Sequence, residues 1–308
     1  MGLLDGKVAI VTGAGHGVGR GEALELADQG AKVVVNDVGG SATGEGQDAG
    51  PAEEVAELIR SRGGEAVANT SNVADFGESE AMVRQAIDEF GGLDVLVNNA
   101  GILRDKMIVS MAEADFDAVV AVHMKGTFNG MHHAAAYWRE QSKAGNQPRA
   151  AIVNTVSSAG LQGNVGQVNY GAAKAGIAAM TVIASLELKR YGVRANAIAP
   201  GGFTRMVGLA MTDIEVKEPE EYEGGDFEPM NPGNSAPMVA WLASDEALHV
   251  TGQVFRAVAN TIAHYRPWQL GELIETPKEA RRWGAAEIGD VVNTKVFGTQ
   301  ASGLQMGG

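Results

Sequence analysis

Tyr170 and Lys174 are four positions apart (174 − 170 = 4) in the segment Val168-Asn169-Tyr170-Gly171-Ala172-Ala173-Lys174. On a helix that spacing stacks both side chains on one face, so a phenol and an ammonium can work as an acid–base pair. A free tyrosine titrates near about 10, too high for a base at neutral pH, but an adjacent cation favours the phenolate. Lowering that value by about 3 units takes roughly 4 kcal/mol of differential stabilisation, attainable in a cleft. Ser157 precedes the tyrosine by thirteen residues (170 − 157 = 13) and follows the β-branched run Ala150 to Thr155. From a strand end its hydroxyl could hold an oxygen while Tyr170 gives or takes a proton; Ser158 is the alternative. Tyr-x-x-x-Lys also occurs on plain surface helices, so its meaning depends on the rest of the chain. No G-x-S-x-G elbow surrounds Ser157, the histidines never take H-E-x-x-H spacing, and there is no cysteine. Serine-hydrolase, thiolate and zinc chemistry are therefore not expected, and no metal site is assigned.

A second constellation, Thr12-Gly13-Ala14-Gly15-His16-Gly17-Val18-Gly19, follows the run Lys7 to Thr12 and leads into a segment of helical periodicity. Such a turn brings backbone N–H groups against a pyrophosphate at the positive end of a helix dipole. Its spacing is Thr-Gly-x-x-x-Gly-x-Gly, which departs from the generic G-x-G-x-x-G. Gly13, Gly15, His16, Gly17, Val18 and Gly19 are the candidate phosphate cradle. Asp37 ends the run Ala31 to Asp37, where its carboxylate could accept from both adenosine ribose hydroxyls and would repel a 2′-phosphate. With no arginine beside it, Asp37 predicts NAD rather than NADP; a plain turn residue before Gly39 and Gly40 is the alternative.

These residues need a frame that brings them together. Lys7 to Thr12, Ala31 to Asp37, Leu93 to Asn99, Ala150 to Thr155, Arg194 to Ala199 and Gln253 to Val258 read as buried parallel strands. Between them, Val18 to Gln29, Ala52 to Arg60, Ser79 to Phe90, Asp117 to Gln141 and Tyr170 to Arg190 read as helices. The alternation predicts an α/β fold: one doubly wound parallel sheet of about seven strands, helices on both faces, and a site at the carboxyl ends of the strands where their order reverses. One domain over residues 1 to 260 is expected. The extension 261 to 308 carries Tyr265, Trp268 and Trp283, aromatic surface expected to pack on the body or on a neighbouring subunit. Gly201 to Asn234, with the acidic cluster Glu215 to Glu228, is either a lid or a solvated loop.

A formal net charge of −14 opposes binding to nucleic acid or an anionic membrane. Met1 to Lys7 lacks a cationic-then-apolar leader pattern, and no run reaches the roughly 18 apolar residues of a membrane span. A cytoplasmic protein acting on a small molecule is expected.

Together, Thr12 to Gly19, Asn98-Asn99-Ala100-Gly101, Ser157, Tyr170-x-x-x-Lys174 and Pro200-Gly201 resemble the short-chain dehydrogenase/reductase family over roughly residues 5 to 260. The resemblance implies a Rossmann-type fold and hydride exchange between NAD and an alcohol or ketone. It makes Tyr170 the general acid/base, gives Lys174 the ribose and has Ser157 hold the substrate. It also puts Asn99, Ala100 and Gly101 on the adenosine side, Asn72 and Val73 at the adenine, and Pro200, Gly201 and Thr204 near the nicotinamide. Where the family usually carries a catalytic asparagine, Val122-His123-Met124-Lys125-Gly126 presents His123, a candidate for the proton relay or a satisfied buried ring.

Val33 to Gly40, Asn98 to Asp105, Val122 to Phe128, Ala199 to Met206 and Val239 to Leu242 are similar to the dehydrogenase part of the peroxisomal type 2 multifunctional enzymes. That likeness implies oxidation of (3R)-hydroxyacyl-CoA thioesters, with steroid alcohols as the runner-up. Arg104, Lys106 and Arg205 are then candidates for the CoA phosphates. The hydratase and sterol-carrier parts have no counterpart here, and Leu304 to Gly308 carries no peroxisomal signal. A non-catalytic NAD-binding scaffold is the alternative from another class; the intact Ser-Tyr-Lys set speaks against it. Asp117 to Gln141 and Tyr170 to Arg190 resemble helices that associate into four-helix bundles in this family, implying a homodimer or homotetramer.

Overall fold

Each β-branched run named above becomes a strand in the computed structural model, which describes residues 2–209, 215–266, 273–276, 282–284, 287–288 and 291–296. The strands are β1 (Val8–Thr12), β2 (Lys32–Asn36), β3 (Glu65–Asn69), β4 (Val95–Asn98), β5 (Ala150–Thr155), β6 (Val193–Pro200), β7 (Val254–Val258) and β8 (Thr261–Tyr265). They form one sheet in the order β3-β2-β1-β4-β5-β6-β7-β8. β1 to β7 run parallel, and β8 returns antiparallel beside β7 with Val258 opposite Thr261.

Two strands escaped the pattern of apolar runs, for one reason. β3 and β8 lie at the two edges of the sheet, and four of the five β8 residues are exposed, so burial imposes no continuous apolar run on it. The hairpin turns at Ala259, whose φ of 52° is the left-handed conformation of tight β-turns. The sheet unit therefore runs to Tyr265 and not to 260, and residues 266–308 form a second unit. Trp268 and Leu304 to Gly308 lie outside the described residues, as do residues 210–214 of the acidic connection.

Helices cover both faces of the sheet. They are α1 (Gly17–Asp28), α2 (Gly50–Ser61), α3 (Phe76–Phe90), α4 (Glu113–Val120), α5 (Gly126–Lys143), α6 (Ser158–Leu161), α7 (Val168–Leu188), α8 (Arg205–Gly208) and α9 (Ala236–Ala243). Alternate strand residues feed two cores, as the period of two requires. Ala9, Val11, Val33 and Val35 pack with Ala23 and Leu26 of α1, Val55 of α2 and Val239 of α9. Val8, Ile10 and Val34 pack on the other face with Met82 of α3 and Met131 and Trp138 of α5. α7 is long and apolar enough to serve as a membrane span by length and composition, which the search for unbroken apolar runs missed. Here it lies against β5 and β6 with Ile177 and Ala184 buried.

The helix expected over Asp117 to Gln141 is interrupted. Ala121–Lys125 winds as a wide π-type turn between α4 and α5, a geometry frequent at functional sites. Strand order reverses between β1 and β4, so the crevice for a ligand opens at their carboxyl ends, where the glycine turn follows β1.

Candidate active site

The glycine turn is held from beneath by Thr12. Its hydroxyl donates to Val97 O (3.3 Å) and accepts from the backbone N–H groups of Asn99 (3.0 Å) and Ala100 (3.1 Å). Asn99 Nδ2 in turn donates to Thr12 O (3.0 Å) and Gly13 O (3.1 Å), which joins the segment after β4 to the turn after β1. Glycine is required where these chains cross: a Cβ on Gly19 would lie 2.3 Å from Gly13 O, and one on Gly13 2.7 Å from Ala100 Cα.

Beyond the turn lies a cleft of about 730 Å³. Gly13, His16, Gly17, Val18, Asp37, Asn72, Val73, Asn99, Ala100, Gly101, Pro200, Gly201 and Thr204 line it, together with His123, Ser157, Tyr170 and Lys174. Gly15 and Gly19, also expected to touch a ligand, stand behind its wall. The backbone N–H of Gly15 donates to Asp37 Oδ2 (2.9 Å), and Asp37 Oδ1 accepts from Gly39 N–H (2.7 Å). Asp37 thus ties the glycine turn to the end of β2 and accepts within the turn before Gly40, while lining the cleft.

Tyr170 and Lys174 fall on one face of α7 at the carboxyl end of β5. Lys174 is 3% exposed, and its Nζ donates to Thr155 O (2.6 Å) while lying 5.6 Å from the Tyr170 ring centre. Ser157 caps the short helix α6, accepting from Ala159 N–H (3.2 Å), and Ser158 is the more exposed of the two serines. α6 presses closely on α7, since a Cβ on Gly160 would meet Ala175 N at 2.6 Å.

Burial raises the Tyr170 phenol above its ordinary value, with the Ser157 side chain pulling it down and Asp105 adding to the rise. Burial also lowers Lys174 to about 7, opposed by Glu22. Each group is thereby driven toward its neutral form in the chain alone; the phenolate is expected only with the lysine and a positive nicotinamide together. For the phenol, desolvation outweighs the opposing pull of the Ser157 side chain.

The His123 ring stands edge-on to Tyr170, centres 5.1 Å apart, and its Nε2 lies 2.8 Å from Ile102 O and 3.0 Å from Ile102 N. Burial, followed by the Lys174 charge, lowers it to about 3, so it is a neutral imidazole. Its Nδ1 is buried without a hydrogen-bond partner among the described residues. A Cβ on Gly101 would come within 2.2 Å of this ring, which explains glycine there.

The sequence profile described as short chain dehydrogenase matches residues 7–213. The chain belongs to the short-chain dehydrogenase family. It is 44% identical over 254 residues to the hydroxyacyl-CoA dehydrogenase ChsB1 of Mycobacterium tuberculosis, a match covering 82% of this chain and 77% of that one. It is 38% identical to the peroxisomal multifunctional enzyme type 2 of Mus musculus over 88% of this chain but only 34% of the mouse protein. The crystal structure of a short chain dehydrogenase from Mycobacterium avium superposes with a TM-score of 0.84 at 46% identity, covering 97% of this chain and 98% of that one. As a short-chain dehydrogenase, the protein is an oxidoreductase acting on CH–OH donors, with a nicotinamide dinucleotide as cofactor and a small molecule as substrate.

The residues fit such a dinucleotide. The glycine turn already binds an anion: the Glu218 carboxylate takes the N–H of Gly17 (2.7 Å) and the His16 ring (2.7 Å), at the helix end where a pyrophosphate is expected. Sequence reasoning overlooked this glutamate because it lay in an acidic run read as lid or solvated loop.

It also passed over Glu22 of α1, fully buried with neither carboxylate oxygen hydrogen-bonded among the described residues. Only a charged residue on the apolar face of α1 could have flagged it. Burial raises Glu22 from 4.5 to about 8, with Lys174 opposing. The folded chain keeps a proton that the unfolded chain releases, so this group's contribution to stability falls as pH rises from about 4.5 toward 8. Glu22→Gln should therefore gain Tm over the parent as pH rises through that window, equivalent to about 1–3 kcal/mol at its upper end. Thermal melts of both proteins from acid to mildly alkaline pH check this; a gap independent of pH would refute it.

Proposed function

We propose that the protein oxidises the 3-hydroxyl of a hydroxyacyl-CoA thioester, or reduces the corresponding ketone, with NAD as its dinucleotide. The observation that carries the reading is the gathering of Ser157, Tyr170 and Lys174 in the same cleft as the glycine turn and Asp37. When bound, the nicotinamide supplies the hydride acceptor or donor. Everything else falls to side chains. Ser157 Oγ orients the substrate oxygen, and Tyr170 Oη exchanges the proton with it. Lys174 Nζ, anchored on Thr155 O, would hold the nicotinamide ribose and, when protonated, add positive charge beside the phenol. Asp37 would receive the adenosine ribose hydroxyls and disfavour a 2′-phosphate. His123, neutral and with Nδ1 unpartnered among the described residues, would be the candidate to hold a relay water.

Relatives named for a hydroxyacyl-CoA and for a 3-oxoacyl-[acyl-carrier-protein] support an acyl substrate over a steroid. The exposed apolar residues Met107, Ile108, Val109 and Val165, beside the bridge between Lys106 and Gln167, would suit the apolar part of either substrate. Of the cations considered for the CoA phosphates, Arg205 lines the cleft and Lys106 is exposed. Arg104 is engaged with Thr43 O (3.0 Å) and Asp115 (3.6 Å), so Arg205 and Lys106 are favoured. Exposed Val182, Ile183 and Leu186 on α7 and Phe128 on α5 supply an apolar face for a homodimer or homotetramer.

NADH formation with (3R)- and (3S)-hydroxyacyl-CoAs and with free hydroxysteroids tests the substrate. Turnover of one thioester enantiomer is expected. Oxidation of a steroid without any thioester would replace this reading with the runner-up.

A further inference from the structure

Glu218 engages the donors that a dinucleotide pyrophosphate requires, and its own backbone is strapped in place from outside the cleft. The segment begins with a turn in which the Glu221 carboxylate accepts from Glu218 N–H (2.5 Å) and the Glu218 backbone carbonyl accepts from Glu221 N–H (3.1 Å). Glu220 pairs with Arg20, a guanidinium only 4% exposed that also holds Glu54 (2.9 Å) and reaches back to Gly15 O (3.4 Å). Glu223 pairs with Arg62 at the carboxyl end of α2 (3.0 Å). Two anchors thus fix residues 218–223 to α1 and α2, and only Glu218 points onto the glycine turn. Burial works against its charge, but the His16 ring and Gly17 N–H hold the carboxyl below its ordinary value, so it sits there as an anion.

We propose that Glu218 is an internal competitor for the cofactor: its carboxylate closes the phosphate cradle in the empty enzyme and must leave Gly17 and His16 when a dinucleotide binds. The inference rests on the reading of the glycine turn as the pyrophosphate site. Two anions cannot share one backbone N–H and one imidazole without repulsion, so each dinucleotide that binds must break both Glu218 contacts. The competitor weakens binding and, by the same linkage, speeds release, which commonly limits turnover in enzymes that exchange a cofactor each cycle. The Arg20 and Arg62 anchors keep the displaced carboxylate close, so it can return as the product dinucleotide departs.

The test is equilibrium binding of NAD and NADH to the full chain, measured by calorimetry and by NADH fluorescence, for the parent and for Glu218→Gln. The amide keeps the size and removes the charge. The variant is expected to bind both dinucleotides about tenfold more tightly, the factor matching loss of one charge-assisted contact. Adding NAD to the parent is expected to speed hydrogen exchange at amides 218–223. Equal affinity of the two proteins, or weaker binding by the variant, overturns the proposal and would mean that Glu218 is neutral toward the cofactor or helps to hold it. Absence of dinucleotide binding by both proteins would overturn the cofactor reading itself, and this inference with it.

Discussion

Tyr170→Phe should lower kcat by about a thousandfold or more while leaving dinucleotide affinity within about threefold of the parent. Phenylalanine fills the same volume, so the edge-on packing against His123 at 5.1 Å and the seat of Lys174 on Thr155 O should persist. What disappears is the phenol hydroxyl, which interacts with the candidate substrate-holding Ser157 and stands beside Lys174. Because the phenol is raised by burial and only partly drawn back by Ser157, the chain alone holds it protonated, ready as an acid for ketone reduction. Working as a base for alcohol oxidation requires more positive charge nearby, which an oxidised nicotinamide ring carries. The variant should therefore lose both directions, in kcat and not in KM. Stopped-flow and steady-state NADH absorbance measure the loss, and fluorescence titration with NADH measures the retained binding. A variant with a tenth of parental kcat would remove Tyr170 from the chemistry.

The parent should prefer NAD over NADP by at least about a hundredfold in kcat/KM, and Asp37→Asn should reduce that preference to within about tenfold. Asp37 is 8% exposed, and its two oxygens already accept from Gly15 and Gly39. A 2′-phosphate would therefore meet a carboxylate that is fixed in place and only partly screened. Like charges about 4 Å apart cost roughly 1–4 kcal/mol between bulk water and a protein surface. Asparagine retains one acceptor oxygen and the room, while losing the charge, so its effect should concentrate on the ratio between cofactors. Absolute activity with NAD should fall as well, since a hydrogen bond between a carboxylate and a ribose hydroxyl is charge-assisted. Paired kinetics with both cofactors decide the matter. A parent that favours NADP, or a ratio unmoved by the substitution, would show that the end of β2 does not discriminate between them.

Much of the site was legible because its signals are local. The glycine turn, the Tyr–Lys spacing and Asp37 at the end of a β-branched run each need only a few neighbouring residues to be recognised, and all line the cleft in the folded chain. Gly15 and Gly19 show the limit of that approach. Both belong to the turn's pattern, yet their value is close packing against Asp37, Pro51 and the Gly13 carbonyl behind the wall. His123 was identified by position, while the π-type turn that points it at Tyr170 was not, because nothing in Val122-His123-Met124-Lys125-Gly126 departs from an ordinary helical pattern. β8 was absorbed into the extension because an edge strand with an exposed face carries no apolar run.

The sequence by itself determined the alternation of strands and helices, the glycine turn after β1 and the placing of Tyr170 and Lys174 on one helix face, since periodicity and short spacing act through nearby backbone. Only the tertiary structure decided the charges around them. It buried Glu22 within the field of Lys174, left the phenol protonated, and set Glu218 onto Gly17 across 201 residues of chain. Burial and electrostatic pairing depend on distances in space between residues remote in sequence, and those distances exist only once the sheet has brought its strand ends together.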